Sequence, residues 1–335
     1  MTIRDRKQLK KTAVRRLQAA SYPARKLILI YSGLMLGMSL LLAVCNYVIT
    51  WQIDAHGGGL DGMKLRSMLE TISVVLSAFY AIATPFWTMG MVYAALRLSR
   101  GKSAWPTVLL EGFRRRRPVF RFVLLQILIY SIITIAAIYG AWILYTFFTP
   151  AGRAFAEAIM KLMTSGITDY MELIEQIPEQ VMDRVARGYL PFFGVCALGL
   201  MIPTWYRIRL AQYLIMEREP LTPWQAIRTS GKIMRRKGFQ MLLLDLSFWW
   251  YYLIPVILMV PSYADVIAQQ LQLNLPVDSA VLYMGGNVLY AVLTLIFECC
   301  AAPRVVTTYA LAYEALLEQY NLQRTAAEQE VSNGI

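Results

Sequence analysis

Histidine is almost missing from this chain. His56 is the only one, and that excludes zinc centres built on several histidines. The four cysteines, Cys45, Cys196, Cys299 and Cys300, lie in or beside apolar segments without metal-ligand spacing, so they read as small apolar side chains rather than a disulfide framework. No HExxH, no Gly-x-Ser-x-Gly elbow and no phosphate-binding Gly-Lys-Ser/Thr motif occurs. Catalysis thus has little support, and no cofactor and no metal is indicated. A membrane enzyme using Asp245 and Glu298 as an acid–base pair stays as the enzymatic alternative. Charge is also scarce. Only 16% of the 335 residues are charged, against about 25% in a soluble domain.

Apolar residues fill the gap. They make up 57% of the chain, and mean hydropathy is +0.46. These totals indicate an all-α, polytopic membrane helical bundle. The net charge of +12 would suggest nucleic acid in a soluble chain. Here the cations crowd beside apolar runs, where orientation and anionic lipid require them, so nucleic acid is excluded as the expected partner.

Six transmembrane helices are expected, at about 27–50, 70–96, 119–148, 190–216, 239–261 and 280–302, each near the roughly 20 residues a bilayer needs. The 97–118 linker holds Arg97, Arg100, Lys102 and the run Arg114, Arg115, Arg116 and Arg117; the 217–238 linker holds Arg218, Arg228, Lys232, Arg235, Arg236 and Lys237. The 51–69 loop has only Lys64 and Arg66, and the 262–279 loop has neither Lys nor Arg. The positive-inside rule then places both termini in the cytosol of a bacterial plasma membrane. Arg114 to Arg117, Arg228, Lys232, Arg235 and Arg236 become the expected contacts to anionic lipid.

Three regions flank the spans. Residues 1–26 carry nine Lys/Arg and one acid, with Leu9, Ala13 and Leu17 four residues apart, so they read as a basic amphipathic helix on the cytosolic leaflet. Residues 149–189 read as short amphipathic helices on the outer side, with stripes at Phe155, Ile159, Leu162 and Met163, then Ile167, Met171 and Ile174, then Val181 and Val185. They either pack against the spans or form a lid or partner-docking surface. The membrane domain is expected to run from 27 to 320, with 321–335 a polar, disordered tail.

The stretch Thr222 to Phe248 organises the chain. Thr222, Pro223 and Gln225 form a Thr-x-x-Gln capping box with proline at the first helical position. A basic amphipathic helix follows and turns into an apolar run that only Asp245 interrupts. Ser230, Met234 and Leu244-Asp245-Leu246-Ser247-Phe248 resemble the signature of a bacterial family of polytopic membrane proteins, the one catalogued as domain of unknown function nine-seven-five. Arg236 stands where that family usually has glycine. The resemblance covers about a third of the chain. It implies a multi-span fold, and it implies no particular activity.

The two basic linkers also resemble each other. A shift of 119 residues places Trp105 on Trp224, Gly112 on Gly231, Arg116-Arg117 on Arg235-Arg236 and Phe120 on Phe239; a shift of 118 places Pro85-x-Trp87 on Pro203-x-Trp205. The alignment suggests a parallel internal repeat relating spans 2–3 to spans 4–5. Chance similarity under shared interfacial constraints is the alternative.

Charges within spans or at their ends include Arg207, Arg209, Asp245 and Glu298. A charge at mid-bilayer costs about 2.5–3.5 kcal/mol on the insertion scale, so arginine–carboxylate pairing would relieve it. These residues form either a cytosol-facing polar pocket for an ionic substrate or lipid headgroup, or a structural lock. Two function classes follow. One is a non-enzymatic accessory or membrane-organising protein. The other is a transporter, permease subunit or lipid-handling protein. ATP-driven transport would need a separate ATPase subunit, and a protein partner is otherwise undefined.

Overall fold

A computed structural model describes residues 5–20, 22–56, 60–164, 179–217, 221–235, 237–263, 266–267 and 279–332. Among these the chain is all-helical, without strands. The helices are α1 (Arg6–Ala19), α2 (Ala24–His56), α3 (Leu60–Ser99), α4 (Glu111–Arg114), α5 (Arg116–Phe148), α6 (Pro150–Thr164), α7 (Glu179–Arg209), α8 (Ala211–Met216), α9 (Pro223–Met234), α10 (Gly238–Leu246), α11 (Trp249–Leu258) and α12 (Ser279–Ser332). A 3-10 turn, Pro106–Leu110, precedes α4, and another, Val260–Tyr263, follows α11.

Five helical stretches are long and apolar enough to cross a membrane: Ala24–Ile49, Arg66–Ser99, Arg116–Phe148, Arg187–Met216 and Val281–Ala326. Large apolar side chains stay exposed along them; Val74, Val75, Phe79 and Ile82 on α3 are each more than half exposed. Water would penalise so continuous an apolar surface, whereas hydrocarbon would not. The expected fifth span is not one straight helix. It is the pair Gly238–Leu246 and Trp249–Tyr263, bent by 51°.

The chain divides into two compact units, 1–121 with 210–335, and 122–209. In the first unit the core gathers at one end of the long helices. Ala24, Leu27 and Ile28 of α2 meet Met91, Ala94 and Leu98 of α3, and the 3-10 turn adds Val108 and Leu109. From Ala301 to Leu316, α12 is buried on nearly every side, with Tyr313 fully enclosed. Close approach builds this end. A Cβ on Gly90 would lie 2.0 Å from the Leu109 carbonyl oxygen, and one on Gly112 would lie 1.9 Å from that of Phe86. Gly101, at φ +69°, makes the turn that brings the Pro106–Leu110 segment back onto α3.

The second unit pairs the end of α5 with α6 and the start of α7. Tyr145, Phe155 and Val185 form its core, edged by Trp142, Tyr189 and Phe192. Thr149 caps α6 by accepting from the Gly152 amide at 3.0 Å, and the Tyr189 hydroxyl donates to the Ile138 carbonyl at 3.0 Å.

Several expectations change. The 51–69 loop is mostly helix, because α2 runs to His56 and α3 starts at Leu60. Residues 179–189 do not form a separate short helix; they are the first turns of α7. Ile167, Met171 and Ile174 lie outside the described residues. The tail does not end its helix at Gln323. It continues to Ser332, with an Arg324–Glu328 pair at 2.7 Å spaced one turn apart.

The two basic amphipathic helices form as expected, but their apolar faces meet protein. In α1, Leu9 and Ala13 are fully buried. In α9 both halves of the capping box form, and Ala226, Ser230, Ile233 and Met234 are buried. Amphipathic spacing finds such a face without saying whether lipid or protein covers it.

Candidate functional site at a broken helix

The site lies where α10 stops. The Ser247 and Phe248 amides bond three residues back, to Leu244 and Asp245, which tightens the last turn. The Ser247 hydroxyl also donates to the Leu244 carbonyl at 2.6 Å. A helix end leaves carbonyls without intrahelical partners and gathers partial negative charge. Two cations of α1 meet this end, where the Leu243 carbonyl also accepts from the Ser247 amide at 3.2 Å. Arg6 donates to the Leu243 carbonyl at 3.1 Å, and Lys10 donates to the Ser247 carbonyl at 2.9 Å. The Lys10 ammonium also lies 4.0 Å from the centre of the Phe248 ring. Burial, then repulsion from Arg304 and Arg6, holds Lys10 below the usual lysine range.

Both carboxylates beside the break are held by tyrosines of neighbouring helices. Asp245 accepts from the Tyr309 hydroxyl at 2.6 Å. Tyr309 has one hydroxyl proton, so the 2.8 Å contact with Tyr252 is a bond in which Tyr252 donates. Glu298 accepts from Tyr251 at 2.9 Å and 3.2 Å. Glu298 and Tyr251 line a cavity of about 240 Å³ together with Tyr31, Ser32, Thr88 and Met91. Tyr31 and Thr88 hydroxyls stand 3.3 Å apart on its wall. The cavity offers one carboxylate, several hydroxyls and an apolar floor. Tyr309→Phe should cost about 1–2 kcal/mol, because it removes a hydrogen bond to a carboxylate and leaves Tyr252 without its acceptor. Thermal unfolding of the detergent-extracted protein would show it, and an unchanged midpoint would refute the assigned bond.

The other expected site residues lie on several elements. Arg207 and Arg209 occupy the last turn of α7, in the second unit. The Arg209 guanidinium lies 4.5 Å over the Trp205 ring. Arg114 pairs with Glu111 at 2.7 Å. Arg115 is half-buried and binds the carbonyls of Met216 at 3.0 Å and Glu217 at 2.6 Å, with Tyr93 beneath it. It is therefore a helix-end anchor. Arg116, Arg117, Arg228, Lys232 and Arg235 are exposed, and Arg236 lies outside the described residues. Nearby, Arg100 bonds Glu314 at 2.7 Å and also Glu217, tying α12 to the end of α8.

Arg6, Lys10, Tyr251, Tyr252 and Tyr309 were not expected in the site. The available signal was a row of tyrosines inside apolar runs, where a phenol needs a buried acceptor.

Among the described residues, the fold and site define an all-helical protein with five helices long and apolar enough to cross a membrane and one interrupted apolar segment. Comparison with family models, with curated proteins and with solved structures finds no match to this chain.

Proposed function

We propose that this chain is a multi-pass protein of a bacterial plasma membrane, with both termini cytosolic, whose role is non-enzymatic: it organises membrane or accessory partners while engaging anionic lipid. The observation that carries this reading is the first unit's packed end. There Arg116, Arg117, Arg228, Lys232 and Arg235 are exposed, and none has an ion-pair partner among the described residues. In this reading the bent pair counts as one span, which makes six. The family resemblance and the duplicated unit belong to the same proposal. Gly112 and Gly231 do different work, however, because a Cβ on Gly231 meets nothing within 4 Å.

The test is thermal unfolding in bilayer discs of phosphatidylcholine with and without phosphatidylglycerol. Each cation near an anionic surface contributes about 1 kcal/mol of attraction. Anionic lipid should raise the midpoint, and glutamine at those five cations should abolish the rise. Equal midpoints for the wild type would sink the proposal.

The second reading is transport or lipid handling, in which the Glu298 cavity is the ligand site. The interrupted helix favours it, since broken helices build midplane sites in transporters. A solute retained by the wild type and lost in Glu298→Gln would select this reading.

A further inference from the structure

α1 does more than close the break. Lys10, Lys11 and Arg15 on α1 face Arg304 on α12 across an open groove of about 540 Å³, with Phe248 and Trp250 as its apolar wall. Lys10 is half-buried; Lys11, Arg15 and Arg304 are exposed. No carboxylate lines the groove, and none of the four cations has an ion-pair partner among the described residues. Like charges on two facing helices repel unless an anion sits between them. Burial first, and then Arg304, holds Lys10 below the usual lysine range. Lys10 has three N–H donors, and the Ser247 carbonyl takes one.

A second groove of about 440 Å³ adjoins the first, sharing Val14 and Arg304. Its wall includes Leu17, Pro23, Ala24, Cys300 and Pro303. Ala24 is also the first residue of the first membrane-length helix, so this groove begins where an apolar segment begins. The combined surface is cationic in the first groove, where Trp250 forms part of the wall, and mixed in the second, where Gln18 and Arg25 stand among the apolar side chains.

We propose that this double groove binds one anionic lipid whose headgroup ends in a phosphomonoester. Lys10, Lys11, Arg15 and Arg304 take the phosphoryl oxygens, and the glycerol and first acyl carbons lie along Leu17, Pro23 and Pro303. A monoester carries about −1.5 to −2 charges near neutral pH, whereas a diester such as phosphatidylglycerol carries one. The four uncompensated cations of the first groove, with Arg25 in the second, therefore select the monoester, and the planar forks of Arg15 and Arg304 fit its three free oxygens. This assignment rests on the first unit's basic end facing anionic lipid.

The experiment is native mass spectrometry of the full chain released from phosphatidylcholine discs containing equal amounts of phosphatidic acid and phosphatidylglycerol. The wild type should retain phosphatidic acid about tenfold over phosphatidylglycerol. Lys11→Gln with Arg15→Gln should lose that preference, as should Arg304→Gln, while Arg116→Gln with Arg117→Gln keeps it. Equal unfolding midpoints in pure phosphatidylcholine confirm that the exposed-site variants fold. Equal retention of both lipids by the wild type, or equal loss in the Arg116/Arg117 variant, overturns the groove and leaves general anionic attraction standing. Retention of neither lipid overturns both readings. Displacement of phosphatidic acid by millimolar inorganic phosphate shows a phosphoryl site for a soluble anion, and that overturns the lipid assignment.

Discussion

Gly112→Ala is expected to cost about 3 kcal/mol and to deplete folded, extractable protein. The added methyl would sit 1.9 Å from the Phe86 carbonyl oxygen and 2.8 Å from its carbon. Both are backbone atoms of a long helix, so no rotamer change relieves the clash. Overpacking of this kind commonly costs about 1–3 kcal/mol, and a rigid backbone neighbour puts it at the upper end. Phe113 follows at once and stacks on Phe86 with ring centres 5.0 Å apart, so moving α4 away would also open that contact. Gly90→Ala should behave alike, with the Leu109 carbonyl oxygen 2.0 Å from the new methyl. Gly231→Ala supplies the contrast. It lies within α9 with open space around it, so alanine should be neutral or stabilise by up to about 1 kcal/mol. Fluorescence-detected size-exclusion after heating would rank the three. Equal behaviour of Gly112→Ala and Gly231→Ala would contradict the packing described and would favour equivalent repeats.

Arg115→Met is expected to cost about 2–3 kcal/mol, while Arg116→Met and Arg117→Met leave stability nearly unchanged. The Arg115 guanidinium bonds the carbonyls of Met216 and Glu217, at the end of α8. Those carbonyls have no helical partner beyond the helix end, and they carry its partial negative charge. Removing a charged donor from half-buried carbonyls typically costs about 1.5–3 kcal/mol. Lysine should restore only part, because a compact ammonium cannot both serve the carbonyls and lie flat over Tyr93. Arg116 and Arg117 are exposed and should instead weaken the response to anionic lipid. Thermal unfolding in phosphatidylcholine isolates the structural part. A small loss for Arg115→Met, comparable to its neighbours, would return it to the lipid surface.

Helix content was legible from apolar runs, and the capping box at Thr222 was legible down to its two hydrogen bonds. Arg115 was not separable from its neighbours, because a run of four arginines has the same composition whichever one turns inward. The break after α10 was hidden for a different reason. Locally, Leu-Asp-Leu-Ser-Phe followed by Trp-Trp-Tyr-Tyr-Leu continues an apolar run, and the bent geometry draws on distant groups: Arg6 and Lys10 at the carbonyls, and Tyr309 at Asp245. Asp245 and Glu298 stood out as costly charges in an apolar segment. Their partners did not, because an uncharged phenol on another helix leaves no mark in charge counting. For the same reason the groove cations were visible only as a basic N-terminal helix, with Arg304 apart from them in sequence.

The clamp on the broken helix also orders events during synthesis. The Arg6–Leu243 and Lys10–Ser247 bonds each join residues 237 positions apart. At about 5–20 residues per second, α1 leaves the ribosome at least ~10 s before α10 does. Throughout that interval Arg6 and Lys10 lack their final partners. An amphipathic basic helix in that state has the nascent membrane surface as its nearest refuge. Residence there keeps α1 close to the emerging helices and restricts its search to two dimensions. A helix made well before α10 is thus among the last to lock, and its docking marks completion of the first unit.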